Sequence, residues 1–124
     1  MVTKKRPKTD RQKAVKHADD WMSKYVRMRD KRCVLCGATD RLTAGHLITR
    51  AKYSTRWSIW NVFAHCTSCN MKHEYQPEHF TEWYLKRFGV EMYEQLIAWS
   101  NKPRKYTNDE IREIGDNFKE LCNG

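Results

Sequence analysis

No stretch of the 124-residue chain approaches the roughly 18 apolar residues that a membrane-spanning helix requires. No basic amphipathic segment carries an uninterrupted greasy face either, which disfavours an anionic membrane as partner. The opening MVTKKRPKTDRQK is charged and no apolar segment follows it, so no signal peptide is expected. Internal repeats and low-complexity tracts are lacking as well. Acidic residues are in short supply: 15 Asp and Glu stand against 24 Lys and Arg, a formal charge of +9. That imbalance is the footprint of a polyanionic partner, with nucleic acid as the default. The length fits one domain able to bury about two-thirds of its unfolded surface, but its many polar residues leave a small core. A metal staple is therefore expected.

The residues that could supply one are two CxxC pairs, Cys33 with Cys36 in CVLCG and Cys66 with Cys69 in WNVFAHCTSCN. Each pair lets one tight turn aim two sulfurs at a point, and four thiolates suit tetrahedral Zn²⁺. Two disulfides or a CxxC redox centre are the alternatives, but no thioredoxin-like pattern surrounds either pair. A closed Cys₄ site is at home in a passive binding module as much as in an enzyme. Thiols arranged for metal place the chain in a reducing, intracellular and cytoplasmic setting. The fifth cysteine, Cys122, reads as a free thiol.

The rest of the chain predicts an α+β fold: a small zinc-stapled β-hairpin plus helix, with one helix before it and several after. Residues 1–8 form a basic arm carrying Lys4, Lys5, Arg6 and Lys8, which either reaches phosphates or is simply solvated. A single domain, 9–124, follows. Its first helix runs from Thr9 or Asp10 to about Arg29, with Ala14, Ala18, Trp21, Met22, Tyr25 and Met28 inward. The metal core spans about 30–75. In it, Leu42, Ala44 and His46 share one face of a first strand, Gly45 marks a close approach, and Ile59 to His65 make a second strand. The basic, aromatic TRAKYSTRW between them reads as a loop. A short helix opens at the second knuckle and carries Asn70 and His73 on one side. In the helical scaffold, 76–124, Pro77 starts a helix that Gly89 stops, another runs from about Glu91 to Asn101, and Thr107 with Glu110 caps the last.

The order CxxC, Gly-His, Asn, CxxC-Asn resembles the HNH (His-Me finger, ββα-metal) endonucleases. The AGH with its downstream N…CxxCN and helical tail resembles the phage NinG/Rap recombination endonucleases in particular. The resemblance covers about 30–75, with weaker similarity to the end of the chain. It implies metal-dependent hydrolysis of DNA phosphodiesters, on branched intermediates such as Holliday junctions or flaps. His46 matches the general base, Asn61 the residue that orients it across the hairpin, and Asn70 the helix ligand of a catalytic Mg²⁺ or Mn²⁺. Two departures stand out. Gly45 occupies the position before the base where many HNH enzymes carry Asp or His, and Thr43 occupies that of an Asp in NinG-like members. His73 is the substitute ligand that geometry offers, with Asp40 and His65 behind it; metal binding by His46 itself, or loss of activity, are the alternatives.

Each of these residues also has a plainer reading. His46 could be a hydrogen-bonded strand histidine, Asn61 a turn residue, Asn70 a cap and His73 a surface residue. His17 and His79 read as solvent-facing. Arg50, Lys52 and Arg56 are candidate phosphate contacts on a surface that is basic in any case. Lys102, Arg104 and Lys105 form a second basic cluster that reads more readily as a solvated linker. Trp57 and Trp60 could stack on unpaired bases, although packing against the hairpin is the commoner fate. A homodimer joined through the C-terminal helices would suit symmetric action on a junction. A zinc-stabilised nucleic-acid-binding module without catalysis, or a sequence-tolerant nicking enzyme, are the competing functions.

Overall fold

The structure, a computed structural model, describes residues 6–123. Of the basic arm, Arg6 and Lys8 are exposed and outside regular structure, while Lys4 and Lys5 lie outside the described residues. Helix α1, Asp10–Asp30, opens with a reciprocal cap: Thr9 Oγ1 accepts the Gln12 amide N–H and Gln12 Oε1 accepts the Thr9 amide N–H. It ends on Lys31 in the left-handed region at φ +66°. Its buried seam is Ala14, Ala18, Met22 and Val26. Met28, expected inward, is largely exposed, because spacing by four residues carries the seam through Val26 instead.

Strands β1, Leu42–His46, and β2, Val62–Cys66, pair antiparallel with Leu42 opposite Cys66 and His46 opposite Val62. The second strand begins three residues later than expected, because Asn61 N–H closes a turn onto Ser58 O. The expected loop between the strands contains a short helix, α2, Tyr53–Arg56. Helix α3, Thr67–His73, opens at the second knuckle as expected. The free edge of β2 is covered: Val34 N–H donates to Ala64 O, and Asp30 Oδ2 accepts the Ala64 N–H at 2.8 Å.

Strand alternation sends the two faces of this hairpin to different cores. Ala44, Val62 and Ala64 pack on the α1 seam together with Trp57, Ile111 and Phe118. Phe63 packs on Phe80, Tyr84 and Leu96, from α4, Glu78–Phe88, and α5, Val90–Ser100. Pro77 precedes α4 and Gly89, at φ +89°, separates it from α5. Helix α6, Asn108–Asn123, starts with the expected capping box, Glu110 N–H on Thr107 Oγ1 and Thr107 N–H on Glu110 Oε1.

Helix α6 lies along α1, and the approach is close at Gly115, where an added Cβ would sit 2.3 Å from His17 Cδ2 and 3.1 Å from Ala18 Cα. His17 is therefore not simply solvent-facing: it lies over Gly115 and pairs with Asp116 at 2.8 Å. Gly115→Ala should destabilise the protein by about 1–3 kcal/mol through overpacking, read as a lowered Tm. Adding His17→Ala should restore only part of the loss, because the Ala18 backbone stays in the way. A Tm equal to wild type would contradict this seating of α6.

Candidate functional site

The first knuckle is a tight turn in which Cys33 N–H donates to Ala38 O and Gly37 N–H to Cys33 O, with Gly37 at φ +81°. The second joins β2 to α3, where Cys66 Sγ accepts the Cys69 N–H at 3.4 Å. The turns bring all four sulfurs within 4.8 Å of one another, with Cys36 and Cys66 at 3.6 Å. Four sulfurs each about 2.3 Å from one Zn²⁺ would lie about 3.8 Å apart, so this group could hold a structural zinc. Burial raises the Cys33 thiol, but hydrogen bonds with the backbone of Cys66, Cys36 and Leu35 outweigh it and bring it down to about 7. Cys69 is pushed up, by burial first and then by its three neighbours. Thiols this crowded do not ionise together without a cation among them.

His46 ends β1, and its Nε2 lies 2.9 Å from the carbonyl oxygen of Arg56, the last residue of α2. With Nε2 carrying the proton, Nδ1 holds the lone pair. Burial pushes this imidazole down to about 4; the Arg56 carbonyl pulls the other way, while the charge of Arg50 adds to the push. The ring is thus neutral at pH 7 and able to accept a proton. His46 opens, with Arg50, Asn70, His73 and Glu74, onto one cavity of about 1020 Å³.

Asn70 Nδ2 donates to Thr43 Oγ1 at 3.2 Å, and the Asn70 side chain also neighbours His65. Thr43 Oγ1 in turn donates to His65 O at 3.0 Å. His73 lines the cavity, and its Nδ1 is buried with no hydrogen-bond partner. His65 is fully buried and neither ring nitrogen has a partner. It fits only because Gly45 lacks a side chain, since a Cβ there would be 2.2 Å from His65 Nδ1. Gly45 therefore makes room for an imidazole of its own chain. Each unpaired buried nitrogen costs about 1–3 kcal/mol, so these rings call for a partner. Asp40 is exposed and lies by Cys66, Thr67 and Met71, away from the cavity that His46 lines.

A family model described as "NinG: Bacteriophage Lambda NinG protein" matches residues 2–124. The chain belongs to the NinG family. No curated protein and no solved structure matches it.

In this NinG-family chain, Asn61 works differently from the expectation of a direct hold on the histidine. It is fully buried; Oδ1 accepts the Ile48 N–H at 2.8 Å, and Nδ2 donates to Ile48 O and Thr55 O, both at 3.1 Å. It touches His46 only through the chain around it: its side chain ties Ile48 to Thr55 of α2, and its carbonyl accepts the N–H of Leu47, the residue after the histidine. Arg56 also needs correction as a phosphate contact. Its guanidinium bonds both oxygens of Asp19, at 3.1 and 2.6 Å, and the Arg50 carbonyl at 3.2 Å, while lying against Tyr53 and Trp57. Asp19, on α1, had no signal in sequence that could pair it with a residue so far along the chain. Lys52 Nζ bonds Asn101 Oδ1, and Arg50 stays exposed on the cavity rim. Trp57 is buried with Nε1 on Asp19, whereas Trp60 is about four-tenths exposed with its ring edge-on to Phe88. Among the scaffold residues, His79, Lys102 and Lys105 are exposed, Arg104 pairs with Glu110, and Cys122 is a half-buried free thiol. No helix among the described residues is long and apolar enough to cross a membrane.

Asn61→Ala should remove three buried hydrogen bonds and cost about 2–4 kcal/mol in urea denaturation. An unchanged midpoint would show that the segment is held by something else. Cys66→Ser, or stripping the metal with a chelator, should unfold the hairpin and α3, because a structural zinc contributes about 10 kcal/mol or more to folding. Circular dichroism and melting identical to wild type would contradict the role of the four sulfurs.

Proposed function

We propose that this NinG-family chain is a metal-dependent DNA endonuclease of the HNH type, stapled by zinc. The observation that carries the reading is His46: its Nε2 is held by the Arg56 carbonyl, burial keeps it neutral, and it opens onto the same cavity as Asn70 and His73. A held, neutral imidazole beside candidate metal ligands can take a proton as a general base does, although burial makes it a weaker base than a free imidazole. Nδ1 takes a proton from water, whose oxygen then forms the bond to phosphorus as the bond to the 3′ oxygen breaks, and that leaving oxygen takes a proton from solvent. The products are a 5′ phosphate and a 3′ hydroxyl. Asn70 Oδ1 and His73 would hold a divalent ion, Mg²⁺ or Mn²⁺, and when bound it supplies the positive charge that the phosphorane-like transition state and the leaving oxygen need. Arg50, exposed at the rim, meets the neighbouring phosphate. The net charge of +9 favours a polyanionic substrate, and branched recombination intermediates are the substrate class that the family resemblance supports.

The test is cleavage of linear, flap and four-way DNA with Mg²⁺ or Mn²⁺. His46→Ala should lose at least about 100-fold in rate while binding DNA as wild type does. Equal cutting by both proteins contradicts the assignment, and binding without cutting by wild type leaves a zinc-stapled binding module. The pH profile is a second check. A histidine lowered from 6.5 to about 4 keeps its lone pair as pH falls through its usual range, so the rate should stay flat from about pH 8 to about pH 6 and fall only in more acid solution. A limb centred near 6.5 would show an ordinary imidazole at work.

A further inference from the structure

His65 is the one buried imidazole that the proposed mechanism does not use. Its ring and that of His73 both lie edge-on to Phe80, with centroids 4.3 and 5.1 Å away. The Asn70 side chain neighbours His65 and is itself tied to β1 through Thr43. Three ring nitrogens in this small region, both of His65 and Nδ1 of His73, are buried without a partner. The space that His65 occupies exists because residue 45 has no Cβ. Thr43, the β1 side chain that touches Asn70, offers a neutral hydroxyl and no carboxylate.

We propose that His65 and His73, together with Asn70, form a nitrogen-rich divalent-cation site that prefers a transition-metal ion to Mg²⁺. The proposal deepens the endonuclease reading by naming a further ligand and the metal class of the same site, and rests on that reading only for the ion's role in cutting. The chemistry follows from the donor set. Mg²⁺ demands oxygen ligands in near-ideal octahedral geometry and keeps much of its water, whereas imidazole suits later first-row divalent ions. Both ring nitrogens of His65 are buried without a hydrogen-bond partner, so a lone pair is there for a cation to take. Glu74 borders the same cavity, but the side chains that touch or neighbour Asn70 are not acidic: β1 offers Thr43 and Gly45, and β2 and α3 each offer a histidine.

The experiment uses Mn²⁺ as probe on full-length protein already loaded with zinc at the four cysteines. Calorimetry should find one Mn²⁺ bound at least tenfold more tightly than Mg²⁺, and pulsed EPR should show nitrogen couplings from directly bound imidazole. His65→Leu should weaken Mn²⁺ at least tenfold and remove part of the nitrogen coupling, with zinc content unchanged. Mn²⁺ binding equal to wild type in that variant, or a bound Mn²⁺ with no nitrogen coupling, overturns the proposal. Should His65→Leu fail to fold, His73→Ala, at a half-buried position, must show the same loss, and wild-type binding there overturns the site equally. The two readings separate cleanly. His65-dependent Mn²⁺ binding in a protein that cuts no DNA keeps the ion site and removes the nuclease, whereas full Mg²⁺-dependent cutting by His65→Leu does the reverse.

Discussion

Four sulfurs meeting at one point are the constraint on which the rest of this molecule depends. Helix α3 carries Asn70 and His73 yet buries none of its seven residues, and its apolar seat is slight, the His73 ring against Phe80. The rest of its hold comes from Cys66 and Cys69 at its start, from Thr67 on the Arg41 carbonyl and from the Asn70 bond to Thr43. The hairpin is equally slight, two five-residue strands, and an isolated pair of that size is marginal in water. Bound by one ion, the turn after α1, the end of β2 and the first turn of α3 become a single rigid unit.

Two apolar cores then hold that unit from opposite sides. One face of the hairpin rests on the α1 and α6 pair, the other on α4 and α5. The connecting segment is fixed by polar contacts. Asn61 holds the stretch that leads to α2, Arg56 and Trp57 anchor α2 to Asp19 of α1, and the Arg56 carbonyl thereby reaches His46. The orientation of the histidine is thus set by a chain of partly buried hydrogen bonds that starts on α1. The imidazoles without partners, His65 and His73, lie outside this chain, on the side of Asn70.

What could be read from sequence was what local chemistry dictates. The CxxC pairs, the helix started by Pro77 and stopped by Gly89, and the Thr107 and Glu110 cap each depend on residues a few positions apart, and each lies where the spacing predicts. His46, Asn70 and His73 do open onto one cavity, while Asp40 lies elsewhere. Long-range pairings were not legible. Nothing in TRAKYSTRW announces that Arg56 faces an aspartate 37 residues earlier, and so a residue expected to meet phosphate turns inward. Gly45 read correctly as a point of close approach, but only the folded hairpin shows that the approaching group is His65. Asn61 was recognisable by position, whereas its role in shaping a loop required its partners.

For the proposed chemistry, the consequence is that zinc and catalysis are coupled without zinc touching substrate. On that proposal a zinc at the four cysteines would fix α3, and α3 would present Asn70 and His73 to the cavity that His46 also lines. Amide hydrogen exchange, with and without zinc, tests this dependence most directly. Removing the ion should release protection across β1, β2 and α3 while α1 and α6, joined by their own apolar seam, retain most of theirs. Equal protection of α3 in both states would contradict the account.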